Sequence, residues 1–363
     1  SGTRTLTGST VTNSTTLNGG AIALTITGNS SIGGAITNVT NLNVSGTTSL
    51  GADVTTSGTQ TYTGAVTVTG SGTRTLTGST VTNSTTLNGG AIALTITGNS
   101  SIGGAISNVT IFSVSGTTSL GADVSTTGTQ TYSGAVTVNG AARILTTTGD
   151  NVTFSSTVNS DSGGARNLTI ATGTAATVQF NGTVGNTYPL GAIAITGTSA
   201  ALDLNAAITS AASLSVSGTS DLGANVTTSG TQTYGDPVTL GAATTLTTAV
   251  TGAGDTIVFS STVNSDGATA RNLTITTGGN TPTVRFDGVV GGTNPLGAIA
   301  ITGALDLNAI IQKTTGSTAG ATSLTVSGIS NLGGDVNTTG GIQTYTGAVT
   351  VSGTGTRTLT GST

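Results

Sequence analysis

The chain contains no cysteine, histidine, methionine or tryptophan, and all 12 of its acidic residues are aspartate, so glutamate is missing as well. Each absence removes a class of chemistry. Without cysteine there is no disulfide framework and no thiol nucleophile. Without histidine there is no His-based triad, and without glutamate no Glu/Glu glycosidase pair. Charged residues make up 6% of the chain, against about 25% in typical domains. The eight basic residues, seven arginines and Lys313, stand singly. They form no basic stripe that could follow a phosphate backbone, so nucleic acid is not an expected partner. No apolar run approaches the ~18 residues of a membrane helix, and no membrane-spanning segment is expected in this stretch.

What is abundant is glycine, at 58 residues, and threonine, at about a quarter of the 363 positions. Low charge combined with 34% hydrophobic residues argues against a charge-rich disordered chain. Threonine, valine and isoleucine favour strands, whereas the residues that build helices are not jointly abundant. The composition predicts an all-β protein.

Repetition is the main signal. Residues 1–70 and 71–140 align without a gap and differ at eight positions, among them Asn41/Ile111 and Leu42/Phe112. A longer unit follows twice, at 141–241 and 242–353, carrying VTFSSTVNSDSGGARNLTI and then IVFSSTVNSDGATARNLTI. Position 354 restarts the first unit, so the order is A, A, B, B and the opening of another A over 354–363. A chain that begins on SGTRTLTGST and ends on TGTRTLTGST reads as a stretch of a longer tandem array, one continuous solenoid.

Within unit A, strand phrases end in Gly8, Gly28, Gly46 and Gly64, and the next unit opens with one ending in Gly78. The gaps of 20, 18, 18 and 14 residues suggest four coils of roughly 18 residues, each with room for three short strands. Leu24 and Ile26 alternate with Thr25 and Thr27, and Val66 and Val68 alternate with Thr67 and Thr69. A period of two with one apolar face marks a half-buried strand. Recurrence of one phrase per coil predicts parallel, in-register stacking about 4.8 Å apart, a parallel β-solenoid (β-helix) with a thin aliphatic core and outward threonines.

The phrases FSSTVNSD…ARNLTI, VQFNGTVGNTYPLGAIAITG at 178–197 and GTQTYTGAVTV resemble the repeats of giant bacterial surface β-strand-repeat proteins, the filamentous-haemagglutinin-like adhesins. The resemblance spans nearly the whole chain. It implies a right-handed β-helix shaft, secreted across the outer membrane, with adhesion or matrix roles carried by the whole fibre or its ends. The secretion domain of that family is not visible in this stretch.

Few residues are candidates for chemistry. Asp53, Asp123 and Asp335 recur at one place in different repeats, which reads as structure rather than as a catalytic aspartate site. Asp161 with Arg166, and Asp266 with Arg271, sit in matching turns. A calcium or ligand loop is the sharper interpretation and a local ion pair the favoured one, since no GGxGxDxUx run is present. Arg4, Arg74 and Arg357 recur in GTRTLTG; pairing with an aspartate of a neighbouring coil or subunit is one option, and outward, solvated positions that discourage edge pairing are the expectation. Sequons at Asn13, Asn38, Asn151, Asn225 and Asn272 would accept sugar. Thr-x-Thr at 3–5, 25–27 and 67–69 would suit ice only as a ladder on one face of nearly every coil, and the uneven spacing argues against that.

No catalytic, cofactor-binding or metal site is expected. The reading is a structural shaft of an extracellular, cell-surface bacterial fibre, self-associating along or between fibres. The alternative is a binding module whose face engages glycans, a host receptor or ice.

Overall fold

The computed structural model describes residues 2–248, 256–267, 269–278, 283–312, 320–338 and 341–361. Lys313 and the last two residues of the restarted A unit lie outside them. The described residues are strands and turns with no helix, and none of them belongs to a helix able to cross a membrane. The chain divides into two compact units, 1–176 and 177–363. Each is a parallel β-solenoid, and the coils are about 20 residues apart.

In the first unit the inward side chains form three stacked columns, one per face. One column runs Leu6, Ile26, Val44, Tyr62, Asn83, Ile102, Leu120, Val138. The second runs Ser30, Thr48, Val66, Leu87, Ile106, Val124, Leu145, Ile170. The third runs Leu17, Ile36, Val54, Leu76, Ile96, Val114, Tyr132, Phe154. Apart from Leu6 and Leu17 on the first coils, these aliphatic and aromatic side chains are buried. No single coil could hide them, and stacking removes them from water at about 25 cal/mol per Å2 of apolar surface. The expected in/out pattern holds: Leu24, Ile26, Val66 and Val68 are buried, and Thr25, Thr27, Thr67 and Thr69 are not. Outside, one file reads Thr25, Asn43, Thr61, Thr82, Ser101, Ser119, Thr137.

Glycine ends each phrase because the corners stack on one another. A Cβ on Gly46 would collide with the Gly28 carbonyl, and one on Gly64 with that of Gly46. Corner side chains satisfy the turn amides. Asn29 Oδ1 accepts from the Thr47 amide at 3.0 Å, and Asn41 Oδ1 accepts from that of Thr59 at 2.8 Å.

The four-coil count for unit A needs correction. Leu6, Ile26, Val44 and Tyr62 follow one column for three coils. The final gap of 14 residues is too short for another turn, since coils within the repeat take 18–20 residues. The chain covers only two more faces, through Val66–Val68 and then Leu76, which lands on Val54 in a different column. Seventy residues therefore make eleven strand positions, not twelve, and the next repeat starts one face out of phase. Tyr62 lies in one column and its equivalent Tyr132 in another.

The second unit obeys the same rule. Leu246, Ile275, Ile301, Val326 and Tyr345 stack through four coils. Val349–Val351 and Leu359 then take the next two faces, on Leu332 and Val336. The B repeat thus has fourteen positions, again two beyond a multiple of three.

Candidate functional site

The recurring aspartates hold strands. Asp53 Oδ1 accepts from the Thr75 amide at 3.0 Å, Asp123 Oδ1 from Ile144 at 2.9 Å, and Asp335 Oδ1 from Thr358 at 2.9 Å. Asn225 does the same for Thr245 at 2.8 Å. All four acceptors face the strand that opens the following repeat. The place is fixed by the fold, and an amide oxygen serves as well as a carboxylate because both accept.

Arg74 corrects the expectation of an outward, solvated arginine. It is 7% exposed, lies 3.1 Å from Asp53 Oδ1, and donates to the Thr69 carbonyl at 3.0 Å. The signal was in the alternation, since Arg74 shares parity with the inward Leu76. Arg143 repeats the grip on its own turn, donating to the Asn139 carbonyl at 2.6 Å. Arg357 is half-buried and donates to the Thr354 carbonyl. Arg4, on the first coil, is exposed.

The two NSD turns contain local ion pairs, Arg166 with Asp161 at 3.1 Å and Arg271 with Asp266 at 2.9 Å. In both, the arginine amide also donates to the preceding serine hydroxyl, Ser160 or Ser265. Amides of Gly140 and Gly163 and the Arg166 guanidinium hold Asp161 below the usual carboxylate range, the Gly140 bond being the largest cause. The Arg271 hydrogen bond does the same for Asp266. Calcium needs six to eight oxygen ligands, whereas these carboxylates are already engaged. Among the described residues no three Asp side chains gather as a metal site.

Several sequon asparagines are tied into the fold. Asn13 Nδ2 donates to the carbonyls of Thr15 and Gly34, and Asn38 Nδ2 to Asn18 Oδ1. Asn225 and Asn272 accept from the amides of Thr245 and Ala298; Asn151 is exposed at a turn. The three Thr-x-Thr motifs do not align. Thr25–Thr27 stacks on Thr5–Thr7 rather than on Thr3–Thr5, and Thr67 sits on Ser49 in another column. A groove of about 260 Å3 beside Leu305, Asp306, Ile329 and Asn331 is smaller than the usual ligand pocket of about 300–1,000 Å3.

Sequence reasoning passed over the glutamine of the repeated QTY phrase. Gln60, Gln130 and Gln232 are fully buried. Gln60 Nε2 donates to the carbonyls of Val54 (3.0 Å) and Thr77 (2.7 Å), and Tyr62 Oη donates to Gln60 Oε1 at 3.0 Å. The same set recurs at Gln130–Tyr132, Gln232–Tyr234 and Gln343–Tyr345. Burial pushes the Tyr62, Tyr132 and Tyr234 phenols up, so they remain donors. Glutamine in an inward file between Leu42 and Val81 breaks the apolar pattern, and that break was the available signal.

No family model, curated protein or solved structure matches the chain.

Proposed function

We propose that the chain is part of the structural shaft of an extracellular bacterial surface fibre, an adhesin stalk or matrix filament, and that it performs no catalysis. The observation that carries this reading is the use made of the polar side chains. The recurring Asp, Gln and Arg residues spend their hydrogen bonds on joining one coil to the next or closing a turn. A ladder of parallel backbone bonds along the stack suits a load-bearing element, since a pull is shared among many of them. The likeness of the repeat phrases to filamentous-haemagglutinin-like adhesins supports the same role, as does the lack of readily oxidised cysteine and methionine. Low charge leaves little repulsion against self-association along or between fibres.

Electron microscopy of native cells, labelled with an antibody against SGTRTLTGSTVTNSTTLNGG, tests this. Labelled threads outside the cell, with label recurring along each, are the expected result. Label confined to the cytoplasm or to compact soluble particles overturns it.

The outward file of Thr, Ser and Asn favours a second reading, a face that binds glycans, a host receptor or ice. A shaft shows no saturable binding by residues 1–363. A binding module shows it, and loses it when the hydroxyls of one face are replaced.

A further inference from the structure

The NSD turn of the first B repeat does more than hold an ion pair. Asp161 Oδ1 accepts from the Gly163 amide at 3.0 Å and from Arg166 Nε at 3.1 Å. Its second oxygen, Oδ2, reaches back to the preceding coil and accepts from the Gly140 amide at 2.6 Å. That amide belongs to the peptide bond after Asn139. The carbonyl of the same peptide accepts from Arg143 Nη2 at 2.6 Å and from the Ala141 amide at 3.0 Å. A carboxylate on the N–H and a guanidinium on the C=O both favour loss of the amide proton, because the charge left behind spreads onto the carbonyl oxygen. The Asn139 side-chain carbon Cγ is placed by its own covalent bonds to close a succinimide ring with that nitrogen, and Gly140 has no Cβ to hinder the approach. Asn139 and Gly140 are both exposed, so water reaches them. The parts meet once. In the first A repeat Thr69 stands in place of Asn139, so Arg74 grips a carbonyl with no side-chain amide beside it. In the second B repeat Asp266 bonds to the Leu240 carbonyl as Asp161 does to that of Val138, but Gly241 stands in place of Asn139.

We infer that Asn139–Gly140 is a self-modifying site, in which Asp161 acts as the base and Arg143 stabilises the developing charge as Asn139 becomes aspartate or isoaspartate. The Gly140 nitrogen gives its proton to Asp161 Oδ2 and bonds to Asn139 Cγ. The Cγ–Nδ2 bond breaks, and Nδ2 leaves as ammonia with the proton that Asp161 held. Water then opens the succinimide. Attack at Cγ gives aspartate, and attack at the main-chain carbonyl gives isoaspartate, whose backbone runs through Cβ. Each chain reacts once and turns over no substrate, so the reading of a non-catalytic shaft is untouched. The change places a new carboxylate beside Asp161, at the junction of the second A repeat with the first B repeat.

The other Asn–Gly pairs of the chain, at Asn18, Asn88 and Asn181, are controls within the same molecule. Asn18 and Asn88 accept from the amides of Gly20 and Gly90, and Asn181 Nδ2 donates to Gln179. Among the described residues no carboxylate meets the glycine that follows any of them. The experiment incubates the folded full chain at neutral pH and follows ammonia loss at each asparagine by peptide mapping and mass spectrometry. A carboxylate is a weak base for an amide proton, so Asn139 is expected to react about tenfold faster than the other sites, short of the gain from a base of matched pKa. Asp161→Asn, which still accepts from Gly140 but takes no proton, should bring Asn139 down to the rate of the others. Arg143→Gln should slow it by less, and neither variant should alter the control sites. Denaturant should make all the rates equal in the parent chain, a comparison that needs no variant to fold. Asn139 reacting no faster than the controls, a rate unchanged by Asp161→Asn in a folded chain, or an excess that survives unfolding would each overturn the site.

Discussion

The two B repeats build equivalent outward ladders on different faces of the second unit and charge them differently. In the first, Gln179 faces Asp203, and Asp203 faces Asp221. In the second, Arg285 faces Asp306, and Asp306 faces Asn331. One bond is common to both, from Asn205 to Asn181 and from Asn308 to Asp287, and the others differ. Gln179 donates to Asp203 and Asn205 to Asn181, while Arg285 donates to Asp287 and Asn308 and Asn331 donate to Asp287 and Asp306. The first ladder sets two carboxylates against each other. Burial, then the charges of Asp203 and Asp266, push the Asp221 carboxyl up. The second surrounds its carboxylates with a cation and amides, and the Arg285 hydrogen bond holds Asp287 low. The backbone is indifferent to which solution is used, because the inward residues, Leu202 and Leu204 against Leu305 and Leu307, are the same.

That indifference is broken most severely from inside. Leu202→Asp and Leu305→Asp each place an unpaired charge in the core and should cost upward of about 4 kcal/mol, with equal loss of hydrogen-exchange protection around both sites. A large inequality would mean the two cores are not equivalent. The next effect is the charge itself. Arg285→Gln should cost up to about 1 kcal/mol, as for a partly exposed pair, seen as faster exchange of the 304–307 amides. Gln179→Arg should slow exchange at 201–204 by a comparable amount. Smaller still, Asp221→Asn should stabilise the first ladder by roughly 0.2–0.5 kcal/mol after solvent screening.

Acid separates the ladders by sign. The raised Asp221 value makes its carboxylate a cost that is complete above the folded pKa and vanishes as pH falls through the carboxylate range. The lowered Asp287 value makes its carboxylate a gain that is lost as pH falls through its folded pKa. Acidification should therefore close the gap between Asp221→Asn and the parent chain while it loosens strand 304–307. A parallel response of both ladders would show that neither shift matters to stability.

The fold class was legible because threonine and valine alternate so regularly that only one face of each strand can be buried. The NSD ion pairs were legible because both partners sit five residues apart in a turn. The phase of the repeat was harder to see. Its trace was the 14-residue gap between Gly64 and Gly78, which looks like a short coil until the neighbour of Leu76 is known. Arg74 was misread for a related reason, since alternation put it inward beside Leu76 but nothing local placed Asp53 within reach. The buried glutamines required both facts, because their partners lie in the preceding turn and in the following repeat.

The eleven- and fourteen-strand repeats have a consequence for how such a chain can change by duplication. The three inward files of the first unit are each mainly aliphatic, so an added copy finds a largely apolar surface on whichever side it begins. Within one unit, copying a repeat lengthens the stack and also shifts the strands that follow it by one face, a third of a turn. Three added copies restore the original bearing. Length and the facing of the stacked strands within a unit are thus coupled in a single genetic step.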